Sequence, residues 1–128
     1  MSDNPVVHFE MPYEDGKRVS EFYSKAFGWK MNMTGEDMGN YVIAETTETE
    51  GMKAVGKGAI NGGFYQKSAS DRKYPSVVIS VADIQAAMKN VTDAGGKILG
   101  EVMDIPNVGK FVSFEDTEGN GASLLQAG

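Results

Sequence analysis

Apolar and polar residues alternate near the start of the chain and then recur with the period of a helix. Residues 5–11 (PVVHFEM) alternate strictly, which predicts a β-strand with one apolar face. Its two rows of side chains are Val7, Phe9 and Met11 on one face and Val6, His8 and Glu10 on the other. Residues 14–27 then place apolar side chains three and four residues apart, which predicts an amphipathic helix that ends at Gly28.

The rest of the first half is predicted to consist of strands joined by polar turns. We expect strands at 29–34, 40–46 and 59–66, because these segments are bounded by turn-forming residues. The stretch 47–58 is acidic at first and then glycine-spaced, which is typical of a mobile loop. A loop hinged by glycines is a candidate gate over a neighbouring site.

The second half repeats this order of elements. Residues 75–81 predict a strand, and Asp83 is a good N-cap for a helix that ends at Gly95-Gly96. Three further strands are predicted at 97–103, 110–115 and 121–126. The chain of 128 residues is therefore expected to form one α+β domain of two βαβββ modules, residues 5–67 and 74–127.

Four segments carry a resemblance to a known family. They are residues 7–12 (VHFEMP), 21–29 (EFYSKAFGW), 83–87 (DIQAA) and 114–120 (FEDTEGN). With these segments in this order, the chain resembles the vicinal oxygen chelate superfamily, which includes glyoxalases, bleomycin resistance proteins and extradiol dioxygenases. The resemblance implies two modules whose mixed sheet curves into a cup, with the helices on its outer face. It also implies a homodimer.

Metal-dependent members of this superfamily take their ligands from the first and last strands of each module. The resemblance places these positions at His8, Gly63, Val78 and Ser123. A divalent metal needs three or four nitrogen or oxygen donors, and glycine and valine have no side-chain donor. His8 is thus the one plausible metal ligand, and an intact family metal site is not expected. Glu10 and Glu45 could join His8 around a hard cation, but nothing in their spacing requires it.

Alternation also predicts which residues line the cup. On the last strand of each module they are Asn61, Gly63, Tyr65, Gly121, Ser123 and Leu125. Small residues beside a tyrosine leave room for an organic molecule against an aromatic wall. The predicted ligand-binding residues are His8, Glu10, Trp29, Tyr65 and Ser123. Trp29 shares a face with Met31 and Met33, and that face either packs in the core or forms an apolar pocket floor.

Composition narrows the class of function. Twelve basic and eighteen acidic residues give a net charge of −6, which disfavours nucleic acid and anionic membranes as partners. The chain has no cysteine, which excludes thiol catalysis and zinc ribbons. No apolar run approaches the ~20 residues of a membrane span, and residues 1–5 lack the pattern of a signal peptide. We therefore expect a cytoplasmic protein.

Three functions are compatible with these observations. The leading hypothesis is a small-molecule-binding protein of the glyoxalase/bleomycin-resistance type with a degenerate metal site. The alternative is a metal-dependent glyoxalase-like lyase, isomerase or dioxygenase, with a divalent metal as cofactor and His8 as a surviving ligand. His8 is also the best general-base candidate, since it is the one side chain that ordinarily titrates near neutral pH. A third possibility is an interaction module whose cup is filled by its own side chains.

Overall fold

The structure, a computed structural model, describes residues 4–68 and 74–128 and divides into two compact units. One unit, which we call the His8 unit, spans His8–Pro75. The other, the C-terminal unit, contains Ser76–Gly128 together with the described residues up to Val7. The order of elements along the chain is that of two βαβββ modules, with a short hairpin added to the first.

The first half of the described chain contains one α-helix, one 3₁₀ turn and six strands. The helix is α1 (Gly16–Phe27), and the 3₁₀ turn is Glu36–Met38. The strands are β1 (Val6–Tyr13), β2 (Lys30–Met33), β3 (Val42–Glu45), β4 (Thr49–Glu50), β5 (Lys53–Ala54) and β6 (Asn61–Gln66).

Four of these strands form a mixed sheet in the order β2-β3-β6-β1. Strands β1 and β6 are parallel, with His8 opposite Asn61 and Glu10 opposite Gly63. Strands β6, β3 and β2 pair antiparallel, and Ile43 of β3 lies opposite Gly63. Because residues directly opposite each other share a face, one face of the sheet carries the His8, Glu10 and Ile43 side chains.

The other face of this sheet carries the core of the His8 unit. Its buried residues are Tyr13, Val42, Ala44 and Phe64. Half-buried side chains pack against them from β1, α1 and the start of β2, namely Phe9, Met11, Val19, Tyr23, Trp29 and Met31. The apolar row predicted for the first strand is therefore on the helix side from Phe9 onward.

Helix α1 ends where its sequence predicts and begins two residues later. The Asp15 carboxylate accepts a hydrogen bond from the backbone N–H of Arg18 at 3.0 Å, which caps the first turn. At the other end Gly28 adopts the left-handed conformation (φ 73°), and its N–H donates to the Ser24 carbonyl at 2.9 Å. The helix thus begins at Gly16, two residues later than predicted, because Asp15 is its cap.

Residues 47–58 were predicted as a loop, and this prediction was wrong. They contain the two-residue strands β4 and β5, which pair as a hairpin. The Asn61 side chain fastens this hairpin to β6: its Nδ2 donates to Thr49 Oγ1 at 2.8 Å, and its Oδ1 accepts from the Thr46 N–H at 2.8 Å. Strands of two residues are too short to show a period in sequence. A gating role for this segment stays a prediction.

The C-terminal unit repeats the architecture with longer strands. Its elements are β7 (Ser76–Ser80), α2 (Ile84–Asp93), β8 (Lys97–Ile105), β9 (Gly109–Glu115) and β10 (Gly121–Ala127). The strands are ordered β7-β10-β9-β8, with β7 parallel to β10 and the other pairs antiparallel. The core residues are Val81, Ile84, Val112 and Leu124. Asp83 caps α2 as predicted, accepting from the N–H groups of Gln85 and Ala86 at 3.0 and 3.2 Å.

The Asp116 side chain closes the turn before β10. The Asp116 carboxylate accepts from the Asn120 side chain at 3.0 Å and from the backbone N–H groups of Asn120 and Glu118 at 2.9 and 2.8 Å. These bonds, led by that from the Asn120 side chain, lower the pKa of Asp116. In this turn Gly119 has a positive φ of 84° and Asn120 does not.

The α+β class with two βαβββ modules and mixed strand pairing is thereby confirmed. The module boundaries at residues 5–67 and 74–127 stay a prediction. None of the described helices is long and apolar enough to cross a membrane.

Candidate functional site

Three polar side chains of the His8 unit meet on the sheet face that does not carry the core. His8 and Glu10 come from β1, and Tyr41 is the residue before β3. The Tyr41 hydroxyl oxygen lies 2.9 Å from His8 Nε2 and 3.1 Å from Glu10 Oε2. The phenol therefore bridges the two β1 side chains. We call these three residues the His8 cluster.

Local backbone structure brings the members of the cluster together. His8 and Glu10 share a face because they are two residues apart on a strand. The backbone N–H of Tyr41 donates to the Met38 carbonyl at 3.2 Å, and its carbonyl accepts from the Thr34 N–H at 2.9 Å. These bonds close the turn between β2 and β3, so Tyr41 continues the side-chain alternation of β3.

Gly63 makes the reach of Tyr41 possible. A Cβ atom built on Gly63 would overlap the ring and the hydroxyl of Tyr41, so this arrangement requires glycine. Gly63 lies opposite Glu10 on one side and Ile43 on the other. The Tyr41 ring thus crosses β6 above Gly63 to reach β1. The position at which the resemblance implies a metal ligand is covered by this ring.

Burial sets the protonation of the cluster. Desolvation lowers the pKa of His8 from 6.5 to about 4, although the residue is only half-buried by exposed area. The pKa of Tyr41 is raised, first by desolvation and then by the charge of Glu10 and the hydrogen bond to it. Near neutral pH the site thus presents a neutral imidazole and a neutral phenol beside the buried Glu10 side chain.

The residues present do not fit a divalent metal in the manner the superfamily implies. Gly63 offers no donor, and the Tyr41 hydroxyl takes up the space and the hydrogen-bonding capacity between His8 and Glu10. Residues 4–68 and 74–128 contain no group of three or more His, Cys, Asp or Glu side chains placed to hold a metal ion. Glu45 therefore does not complete a cation site with His8 and Glu10.

Trp29 was predicted to line the ligand site, but it lies on the opposite face of the sheet. Its ring stacks on Tyr23 with centroids 4.7 Å apart and contacts Phe9 at 5.6 Å. Phe9 alternates with His8 and Glu10, so this aromatic group belongs to the helix-side core. Of the two interpretations open for Trp29, core packing is the one that the structure supports.

Tyr65 and Ser123 lie in different units. Tyr65 is half-buried on β6, two residues from Gly63 and therefore on the same face. Ser123 is fully buried on β10 of the C-terminal unit, where its hydroxyl lies 3.2 Å from that of Ser113. The ligand-binding roles of both residues stay predictions.

Sequence reasoning missed Tyr41, the residue that links the cluster. It is 33 positions from His8, and it precedes the strand that it extends. Two signals could have revealed it: Tyr41 continues the row of Ile43 and Glu45, and a glycine stands opposite that row on the neighbouring strand.

Two surface clefts lie elsewhere in the described residues. The cleft of the His8 unit is lined by 12–15, Arg18, Val19 and Phe22, and that of the C-terminal unit by 104–110, Gln126 and Gly128. Neither cleft contains a member of the His8 cluster. His8 and Tyr41 are each partly exposed, so a molecule can contact the cluster at these two side chains.

Comparisons with known proteins agree with this fold. Residues 6–47 match the family described as bleomycin resistance protein-like N-terminal. A glyoxylase-like domain-containing protein of Didymella fabae is 31% identical over 116 residues, which are 90% of this chain and 88% of the relative.

Solved structures with the same fold include two methylmalonyl-CoA epimerases. One, in complex with methylmalonyl-CoA and NH4+, has a TM-score of 0.71 at 15% identity, with 98% of this chain and 96% of that chain covered. The other, from Mycobacterium tuberculosis, has a TM-score of 0.68 at 15% identity, covering 96% of this chain and 87% of that one. At this identity the likeness concerns the fold alone. By its sequence relative, its family match and its fold, the chain belongs to the glyoxalase-like family of the vicinal oxygen chelate superfamily.

Proposed function

We propose that this protein binds a small organic molecule at the His8 cluster and that it does so without a divalent metal. It is a small-molecule-binding protein of the glyoxalase/bleomycin-resistance type in which the family metal site is degenerate. Glu10 and His8 provide polar contacts, and Tyr65, on the same sheet face, provides an aromatic wall.

The observation that carries this proposal is the bridging position of Tyr41. Its hydroxyl bonds to both His8 and Glu10, the two side chains of β1 that could otherwise coordinate a metal. The cluster is a polar group on a sheet face that the core does not use. A buried network of this kind is costly unless it is satisfied, and one with a partly exposed edge is suited to binding a polar ligand.

A thermal-shift experiment tests the proposal. Metal-stripped wild-type protein is titrated with Mn²⁺, Ni²⁺, Zn²⁺, Fe²⁺ and Mg²⁺, and separately with a panel of small aromatic amides, alcohols and carboxylates. The same titrations are made on His8→Ala and on the control Tyr74→Phe, whose ring is exposed. A ligand at a hundred times its Kd stabilises the folded state by about 2.7 kcal/mol, which is readily measured.

We expect at least one organic compound to raise the Tm of wild type and Tyr74→Phe but not of His8→Ala, and no metal to do so. Stabilisation by a metal that is lost in His8→Ala would replace the proposal with a metal-dependent lyase, isomerase or dioxygenase. A protein that responds to no metal and no compound would instead be an interaction module filled by its own side chains.

We also propose that the protein is a homodimer, which the family resemblance supports. Light scattering after gel filtration should give twice the 13.8 kDa mass of one chain. A mass of one chain at micromolar concentration would contradict the proposal. The cytoplasmic location stays a prediction.

A further inference from the structure

The hydrogen bonds of the His8 cluster have a direction, and this direction identifies the atom that contacts the ligand. The inference rests on the proposed binding function and adds the chemical class of the ligand. Tyr41 has one hydroxyl proton and two neighbours, His8 Nε2 at 2.9 Å and Glu10 Oε2 at 3.1 Å. An ionised carboxylate only accepts hydrogen bonds, so Tyr41 donates its proton to Glu10.

Since the Tyr41 proton is directed at Glu10, the bond to His8 must be donated by the imidazole. A neutral imidazole has one N–H group, and the other ring nitrogen is an acceptor. His8 therefore carries its proton on Nε2, and its Nδ1 has a lone pair. The lowered pKa of His8 keeps the ring in this neutral form near neutral pH.

The Nδ1 atom of His8 is within reach of solvent. It has no hydrogen-bond partner among residues 4–68 and 74–128. The His8 side chain is partly exposed, which leaves this nitrogen open to a ligand. Asn61, opposite His8 in register, has both its amide atoms bonded to Thr46 and Thr49.

Charge on this face disfavours an anionic ligand. The four strands of the sheet contain one basic side chain other than histidine, Lys30 on β2. Lys30 lies opposite Glu45, and three strand spacings separate β2 from β1, about 14 Å. Within these four strands no basic side chain therefore lies near His8 to pair with an anionic ligand.

We propose that His8 is held as the Nε2–H tautomer by Tyr41 and Glu10, and that its Nδ1 accepts a hydrogen bond from a neutral or cationic organic ligand bearing an N–H or O–H group. Carboxylates are rejected, since an ionised carboxylate has no proton to donate to Nδ1. In this role Tyr41 is a positioning residue, and His8 Nδ1 is the group that touches the ligand.

Nitrogen NMR of the imidazole tests the tautomer without any ligand. The chain has a single histidine, so ¹⁵N-labelled protein gives one pair of ring-nitrogen signals. We expect the protonated nitrogen to be Nε2 in wild type and in the control Tyr74→Phe. In Tyr41→Phe the share of the Nε2–H form should fall toward the modest excess that free histidine has in water. Protonation at Nδ1 in wild type, or an unchanged ratio of the two tautomers in Tyr41→Phe, would overturn the inference.

Three matched probes test the ligand class on the same protein. Benzamide has an N–H donor, N,N-dimethylbenzamide has none, and benzoate carries a negative charge. We expect benzamide to shift the Nδ1 signal and the other two to bind about tenfold more weakly, as the loss of one hydrogen bond predicts. Benzoate binding as tightly as benzamide would overturn the ligand class while leaving binding intact. If none of the three probes shifts the signal while another compound raises the Tm, His8 Nδ1 is not the ligand contact and binding itself is left intact. If no compound binds, the proposed binding function is contradicted and the tautomer result is unaffected.

Discussion

The ring of Tyr41 occupies the space in which any side chain at position 63 would begin. A Cβ atom on Gly63 would overlap the Tyr41 ring and hydroxyl, so the tyrosine reaches His8 and Glu10 because residue 63 has no side chain. Gly63, at the position where the resemblance implies a metal ligand, is therefore the residue that admits the phenol.

Replacing Gly63 with alanine should displace Tyr41 and break the His8 cluster. Overpacking of this kind destabilises a protein by about 1–3 kcal/mol, and the His8 signals should move toward those of Tyr41→Phe. Urea unfolding and imidazole NMR measure the two effects. Gly35→Ala is the control, because a Cβ at that exposed residue meets only the end of the Asp37 side chain at 3.2 Å. Equal stabilities for the two variants would contradict the packing described for Gly63.

Replacing Tyr41 with phenylalanine should cost stability even though the ring is kept. His8 Nε2 loses its hydrogen-bond partner and Glu10 loses one of its own, in a part-buried environment. The expected loss is about 1–3 kcal/mol in the free energy of unfolding. Tyr74→Phe, at a residue that is 75% exposed, should change it by less than about 0.5 kcal/mol. A loss no larger in Tyr41→Phe than in this control would show that the hydroxyl is not a structural bridge.

As the pH is lowered below about 6.5, the free energy of unfolding should decrease, because folding lowers the pKa of His8. Its pKa is lowered by burial from 6.5 to about 4. Between these values the unfolded chain binds a proton that the folded chain does not, so acid favours unfolding. The contribution is fully present above pH 6.5 and is lost as the pH falls to about 4, with an upper bound of about 3 kcal/mol.

His8→Gln provides the comparison for this pH dependence. The difference in unfolding free energy between wild type and His8→Gln, measured by urea titration from pH 7 to pH 4, isolates the histidine contribution from that of the carboxylates. As the pH falls, the unfolding free energy of wild type should decrease more than that of His8→Gln. A constant difference across this range would mean that the pKa of His8 is not lowered by folding.

Trp29→Ala should lower the stability of the protein and leave ligand binding unchanged. Trp29 packs with Phe9 and Tyr23 on the helix side, and removing a large aromatic side chain from such a group costs about 3 kcal/mol. Met52→Ala, at a 64% exposed position, should change stability by less than about 0.5 kcal/mol. Binding of benzamide, followed on the His8 signals, should survive in both variants at temperatures where they are folded. Loss of binding in folded Trp29→Ala would show that Trp29 takes part in the ligand site.

The fold could be predicted because its signals are local. The alternation of β1, the helical period of α1 with its end at Gly28 and the Asp83 cap of α2 each lie within about a dozen consecutive residues. The errors are of two kinds. The hairpin of β4 and β5 is too short to have a period. Trp29 shares an apolar row with Met31 and Met33, but the period does not say which face of the sheet that row lies on, because this depends on where the helix packs.

The candidate site was only half predictable. His8 and Glu10 are two residues apart on one strand, so alternation alone places them together. Tyr41 joins them through the pairing of three strands and the absence of a Cβ at Gly63, and neither follows from the sequence near Tyr41. A contact that depends on the register of two strand pairs has no local signature.

The overlap between position 63 and Tyr41 also restricts how this site can have evolved. With any side chain at position 63, a tyrosine at position 41 has no room to lie across β6, so the bridging arrangement can only appear on a glycine background. A side chain at position 63 and the bridging position of Tyr41 therefore exclude each other. Among relatives, we therefore expect a bridging tyrosine at position 41 only where position 63 is glycine.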